Sequence, residues 1–177
     1  MIKSLLRFIL KPLSFLPAIF MMYVIFSFSS QTGTDSSSLS YEVSEIIIEA
    51  ADEAFDMEWT SAQKSANIQS IHPYVRKLAH VTEYFLLAVS VSFPLYVYGI
   101  RGIWLVILAG GFCVAFACLD EYHQSFVAGR TATSRDVMID SIGIFIGVIL
   151  VRIVCFIGRK TIFRPLAKKK KKRKKAA

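Results

Sequence analysis

Four stretches of the chain are almost free of charge: residues 12–29, 78–98, 102–119 and 137–157. Each holds about 18–22 residues, the length a helix needs to cross roughly 30 Å of hydrocarbon. A polar segment, residues 30–77, separates the first two. Its opening, residues 31–40, is rich in Ser, Thr and Gly and reads as irregular. Leu39, Val43, Ile46, Ile47, Ala50, Ala54 and Phe55 then recur at helical spacing, with Glu42, Glu45, Glu49, Asp52, Glu53 and Asp56 on the opposite side. This predicts an acidic amphipathic helix, with Trp59 near its end, lying on the bundle top or at the interface. It is either a cap over the bundle or a lid over a ligand site. The short turn at residues 99–102 makes the second and third spans antiparallel neighbours, and Pro94 predicts a kink in the second. Gly143 and Gly147 form a GxxxG step on the fourth span, which serves either packing within the bundle or a homodimer contact.

The pattern predicts an all-α polytopic membrane protein. It is a bundle of four transmembrane helices with an extracytoplasmic amphipathic helix between the first and second spans. Residues 1–157 form the membrane domain and residues 158–177 a basic tail. A hydrophobic content of 54% and a mean hydropathy of +0.50 exclude an ordinary soluble domain. Within 177 residues there is no room for a separate soluble catalytic domain.

Charge orients the spans. With both termini in the cytoplasm, the inside holds Lys3, Arg7, Lys11, Arg101, Arg152, Arg159, Lys160, Arg164 and the basic run 168–175. The outside holds all 13 acidic residues and only Lys64, Arg76, Lys77, Arg130 and Arg135. That is the positive-inside bias of an inner-membrane protein. The net charge of +8 therefore points to orientation and not to nucleic acid. The tail is a solvated end, with anionic-lipid or RNA binding the alternative. Lys3, Arg7 and Lys11 before an apolar run imitate a signal peptide, but no small-x-small cleavage site follows, so the first helix is expected to be retained. Cys113, Cys118 and Cys155 form no CxxC pair and read as packing residues, so neither a disulfide framework nor a zinc site is indicated.

The polar residues that could do chemistry sit at the outer ends of three spans. Lys77, His80, Glu83 and Tyr84 share one face of the second. Ionisable groups there are costly and point into the bundle or a wet cavity, although a snorkelling Lys77 and a structural His80–Glu83 pair would also fit. Asp120, Glu121 and Gln124 end the third span, Gly129 is a natural helix terminator, and Arg130 follows. Thr133 to Asp136 has capping-box spacing, preceded by Arg135 one residue before the acid. Asp140 lies a turn deeper and needs a donor, for which Arg130 and Arg135 are the first candidates.

The strings Lys77-x-x-His80-x-x-Glu83-Tyr84, Asp120-Glu121-x-x-Gln124-x-Phe126-x-x-x-Arg130 and Asp136-x-x-x-Asp140-x-x-Gly143-x-x-x-Gly147 resemble the VanZ-like family of bacterial membrane proteins. Ser29-Ser30-Gln31 is similar to that family's N-terminal signature. The resemblance covers roughly residues 15–157 and implies a four-span inner-membrane protein of the cell envelope. The founding member of the family is associated with low-level resistance to the glycopeptide teicoplanin. Asp140 departs from the pattern, standing where the family often has Asn.

Three functions compete. In the first, the outer cluster binds a lipid headgroup, a cell-wall precursor or a lipophilic glycopeptide. Lys77, His80, Arg130 and Arg135 would hold phosphate or carboxylate, and Glu83, Asp120 and Glu121 would hold amines or hydroxyls. In the second, the protein is a hydrolase or transferase for a lipid-linked substrate, with His80 as a base oriented by Glu83 and Arg130 stabilising charge. Asp120 and Glu121 are further catalytic candidates. Asp120, Glu121, Glu83 and His80 could alternatively hold a divalent metal, but HxxE is not HExxH and no Cys or second paired His supports zinc, so no metal is expected, and no cofactor is implied. In the third, the protein is an ion carrier, but the inner half of the bundle offers no ionisable residue to continue a path.

Overall fold

The computed structural model of the protein describes residues 11–161. The expectations resting on Lys3, Arg7 and the basic run 168–175 concern residues outside that range. The order of elements is α1 (Leu16–Ser29), α2 (Gly33–Phe55), α3 (Ser61–Val97), α4 (Ile103–Gln124) and α5 (Ser134–Thr161). No strand occurs among the described residues. Four segments are long and apolar enough to cross a membrane: Lys11–Ser29, Ser61–Val97, Ile103–Gln124 and Ser134–Lys160.

The bundle is held by small residues on its inner faces. Ala88, Ala109, Cys113 and Ala117 are buried among Tyr84, Leu87, Val91, Ile144 and Val148. Without water to drive helices together, close van der Waals approach does the work in a bilayer. It is tightest between α3 and α5. A Cβ on Gly143 would strike the carbonyl oxygen of Val81, and one on Gly147 the carbonyl oxygen of Phe85. The GxxxG face is therefore occupied by α3 of the same chain. The outward faces carry Phe20, Ile107, Phe112, Phe145 and Ile153, all exposed as lipid contacts would be.

Two parts of the polar segment differ from the expectation. Helix α2 begins at Gly33, so residues 33–40 are helical and not irregular. Thr32 is the reason: its side-chain oxygen accepts the Asp35 N–H at 3.2 Å, and Asp35 puts negative charge in the first turn. Helix α3 begins at Ser61, well before the apolar stretch, because Thr60 and Gln63 form a reciprocal capping box. It runs on through both Pro73 and Pro94.

α2 and the first turns of α3 pack as a helical hairpin. At its tip, Asp52 pairs with Lys64 and accepts the Trp59 N–H at 3.0 Å. The bond from Lys64, and then the one from Trp59, hold the Asp52 carboxyl below its ordinary range. Ile48 and Ile68 are buried further along, and His72 joins the Ser40 hydroxyl at 2.9 Å. The buried face of α2 is Ser40, Ser44 and Ile48, whereas Leu39, Val43, Ile46, Ile47 and Phe55 remain exposed. Residues 33–55 are helical, and the helix packs through Ser40, Ser44 and Ile48 and not through the expected apolar stripe.

Candidate functional site

The polar residues gather at one end of the bundle, where α1 and α4 end and α5 begins, beside the middle of α3. Asp120 is their centre. Its Oδ2 accepts the Ser29 hydroxyl at 2.7 Å, the Tyr84 hydroxyl at 3.1 Å and the Gln124 Nε2 at 2.9 Å. Spacing puts Asp120 and Gln124 on one face of α4, and that face meets Ser29 of α1 and Tyr84 of α3. Gln124 passes the network on: its Oε1 accepts Arg130 Nη1 at 2.9 Å. Arg130 also donates Nε to the Gln31 carbonyl at 2.9 Å and Nη2 to the Phe28 carbonyl at 2.8 Å. Those carbonyls lie at and just beyond the C-terminus of α1, where helix ends leave acceptors free. Burial, and then the neighbouring Arg76 charge, lower the pKa of Arg130.

Arg130 reaches this position through a tight crossing of backbones. Gly129 has φ +74° and a Cβ on Gly33 would collide with the Gly129 carbonyl, while the Gly33 N–H bonds to the Ala128 carbonyl at 3.0 Å. Helix α4 has already ended at Gln124, so Gly129 serves this crossing and not the helix terminus. Glu121 clasps the next element, accepting the Thr133 N–H at 2.6 Å. Thr133 in turn bonds the Asp136 carboxylate at 2.8 Å and accepts the Asp136 N–H at 3.3 Å. The capping spacing read from the sequence is thus realised at the start of α5.

Beside this network lies a cavity of about 400 Å³, within the size range of small-ligand sites. Arg76, Lys77 and Arg130 line it, together with His72 and His80. Its acids are Glu121, Asp136 and Asp140. Three permanent cations thus face three carboxylates. Yet among the described residues the only acid–base contacts within 4.0 Å are Lys64–Asp52 and His80–Glu83. Asp140 is 5% exposed and has no hydrogen-bond donor among the described residues. The expectation that Arg130 or Arg135 would pair with it is not met. Arg130 is committed to the end of α1, and Arg135 is exposed on α5.

The predicted residues therefore divide. Lys77, His80, Glu121, Gln124, Arg130, Asp136 and Asp140 line the cavity. Tyr84 and Asp120 are buried in the network behind it. Glu83 sits beside His80, its Oε2 3.7 Å from Nδ1, too far for a hydrogen bond. Arg135 is not brought to the site. The structure adds His72, Pro73, Arg76 and Thr131 to the lining, and Ser29 and Gln31 to the network. The sequence signal for His72 and Arg76 is their i, i+4 spacing to each other and onward to His80, one face continuing into the span. No group of three or more metal-ligating side chains occurs among the described residues.

The family model VanZ/LLP1 matches residues 14–156. No curated protein matches the chain significantly, and no solved structure does so either. The matched region takes in all four membrane-spanning segments apart from a few terminal residues, and every residue of the network and cavity. The chain belongs to the VanZ/LLP1 family and is a multi-pass membrane protein.

Proposed function

We propose that this VanZ-like protein is a non-enzymatic component of the bacterial inner membrane, with both termini in the cytoplasm and its cavity at the outer face. There it holds the polar head of a lipid, a cell-wall precursor or a lipophilic glycopeptide, and so contributes to teicoplanin-type resistance. The observation that carries this reading is the set Arg76, Lys77 and Arg130, three cations lining one cavity with no carboxylate partner among the described residues. Lys77 is exposed and Arg76 half-buried, so both can reach a ligand in the cavity, and Arg130 keeps two N–H groups beyond its three bonds. Guanidinium and ammonium groups together suit phosphate or carboxylate oxygens. Teicoplanin has an acyl chain as well as a polar head, so a site beside the spans suits it physically. The hydrolase or transferase reading requires His80 to be oriented by Glu83. The two stand 3.7 Å apart, with no hydrogen bond between them.

Susceptibility to teicoplanin tests this in a strain carrying variants at matched abundance. Arg76→Ala combined with Lys77→Ala should lower resistance to that of cells lacking the protein. Deletion of residues 168–177 should leave it intact. Full resistance in the double variant, or equal loss from the tail deletion, would move the function away from the cavity.

A further inference from the structure

Asp140 is more than nine-tenths buried, lines the cavity, and meets no donor from the described residues. Arg76, Lys77 and His80 line the same cavity but none comes within 4.0 Å of its carboxyl oxygens, and two further candidates are engaged elsewhere. Arg130 spends three of its five N–H groups on Gln31, Phe28 and Gln124, which leaves one on each of Nη1 and Nη2. Ser141, next in sequence, donates to the Val137 carbonyl at 2.7 Å. A carboxylate in such a place demands a hydrogen-bond donor, and a cationic donor satisfies both its lone pairs and its charge. The same cavity presents Arg76, Lys77 and the free N–H groups of Arg130, which suit an anion. One cavity thus carries two complementary vacancies of opposite sign.

We propose, resting on the headgroup-binding reading above, that the cavity recognises a zwitterionic head bearing a phosphate and a primary amine. The phosphate lies against Arg76, Lys77 and Arg130, and the ammonium donates to Asp140. An aminophospholipid of the bilayer supplies this chemistry, and so does a soluble phosphoethanolamine group. Asp140 is then a specificity residue. It selects the amine, while the cations supply affinity for any phosphate. An Asn at this position would accept a hydrogen bond without neutralising an ammonium.

The test uses the full-length chain in detergent micelles. Native mass spectrometry measures binding of phosphatidylethanolamine, phosphatidylcholine and phosphatidylglycerol with identical acyl chains. All three keep the phosphate. Methylation removes the N–H donors in the second, and the third has no amine. Phosphatidylethanolamine should bind about tenfold more tightly than either, the scale of one charge-assisted hydrogen bond. Asp140→Asn should abolish that preference, and with one negative charge fewer in the cavity phosphatidylglycerol should bind no more weakly than to the wild-type chain. Arg76→Gln should weaken all three by a similar factor. Competition by free phosphoethanolamine would assign the site to the soluble group as well, and its failure to compete would assign it to the lipid. Equal binding of the three lipids by the wild-type chain would overturn the proposal, and needs no variant to fold. A preference that survives Asp140→Asn would overturn it too. If none of the three lipids binds, this proposal fails, while the cell-wall precursor and glycopeptide of the reading above stand or fall on the susceptibility test.

Discussion

Asp120→Ala should detach the ends of α1 and α4 from one another and from the middle of α3. Three donors converge on a single oxygen of Asp120, which is 6% exposed, and one of them, Tyr84, is fully buried. Each donor stranded in the interior costs about 1–3 kcal/mol. Losing the shared acceptor should therefore destabilise the bundle by several kcal/mol, on the scale of about 3–5 kcal/mol for breaking a buried charge interaction. Thermal unfolding in detergent, followed by fluorescence of Trp59 and Trp104, should show a large fall in midpoint. Tyr84→Phe removes one donor and should cost about 1 kcal/mol. Equal midpoints for wild type and Asp120→Ala would show that the network contributes nothing to folding.

Gly143→Leu should also be damaging, for a different reason. A Cβ at Gly143 meets the carbonyl of Val81 and the backbone nitrogen of Phe85. Backbone atoms in a helix cannot turn aside as a side chain can. Helices α3 and α5 must move apart, and overpacking of this kind costs about 1–3 kcal/mol or more. Because α3 carries Arg76, Lys77 and His80 while α5 carries Asp136 and Asp140, the separation also widens the cavity. Folded yield and ligand binding should fall together. Ser141→Ala, on the same helix, loses only a hydroxyl bonded back to Val137 and should retain both. Normal yield with Gly143→Leu would contradict the packing described here.

The four spans were legible because lipid imposes one rule on all of them: about 20 residues with little charge. Convergence of the polar ends was legible too, since Asp120, Glu121 and Gln124 finish one span while Thr133 and Asp136 start the next. Partners were less legible. Asp140 and Arg135 are close in sequence, but Arg135 lies on the exposed side of α5, and sequence distance says nothing about that. Arg130 seemed free to pair with an acid, but backbone carbonyls, which no side-chain pattern displays, hold it instead. His72 and Arg76 fell in what read as a loop because the apolar stretch starts at Leu78. The capping box at Thr60 and Gln63 starts the helix much earlier and carries them onto the cavity wall. On α2 the apolar stripe suggested the packing face. Ser40 and Ser44 pack instead, because small residues allow α3 to come close and His72 gives Ser40 a hydrogen-bond partner.

That the cavity beside Asp140 is where a headgroup sits can be tested by filling it. In a chain with Cys113, Cys118 and Cys155 replaced by alanine, Ile139→Cys places a thiol on the cavity wall, and Ile153→Cys places one on an exposed face of α5 away from it. Each is labelled with a bulky maleimide, and phosphatidylethanolamine binding is measured by native mass spectrometry. The account predicts loss of binding when position 139 is labelled and unchanged binding when position 153 is labelled. Undiminished binding with position 139 fully labelled would contradict it.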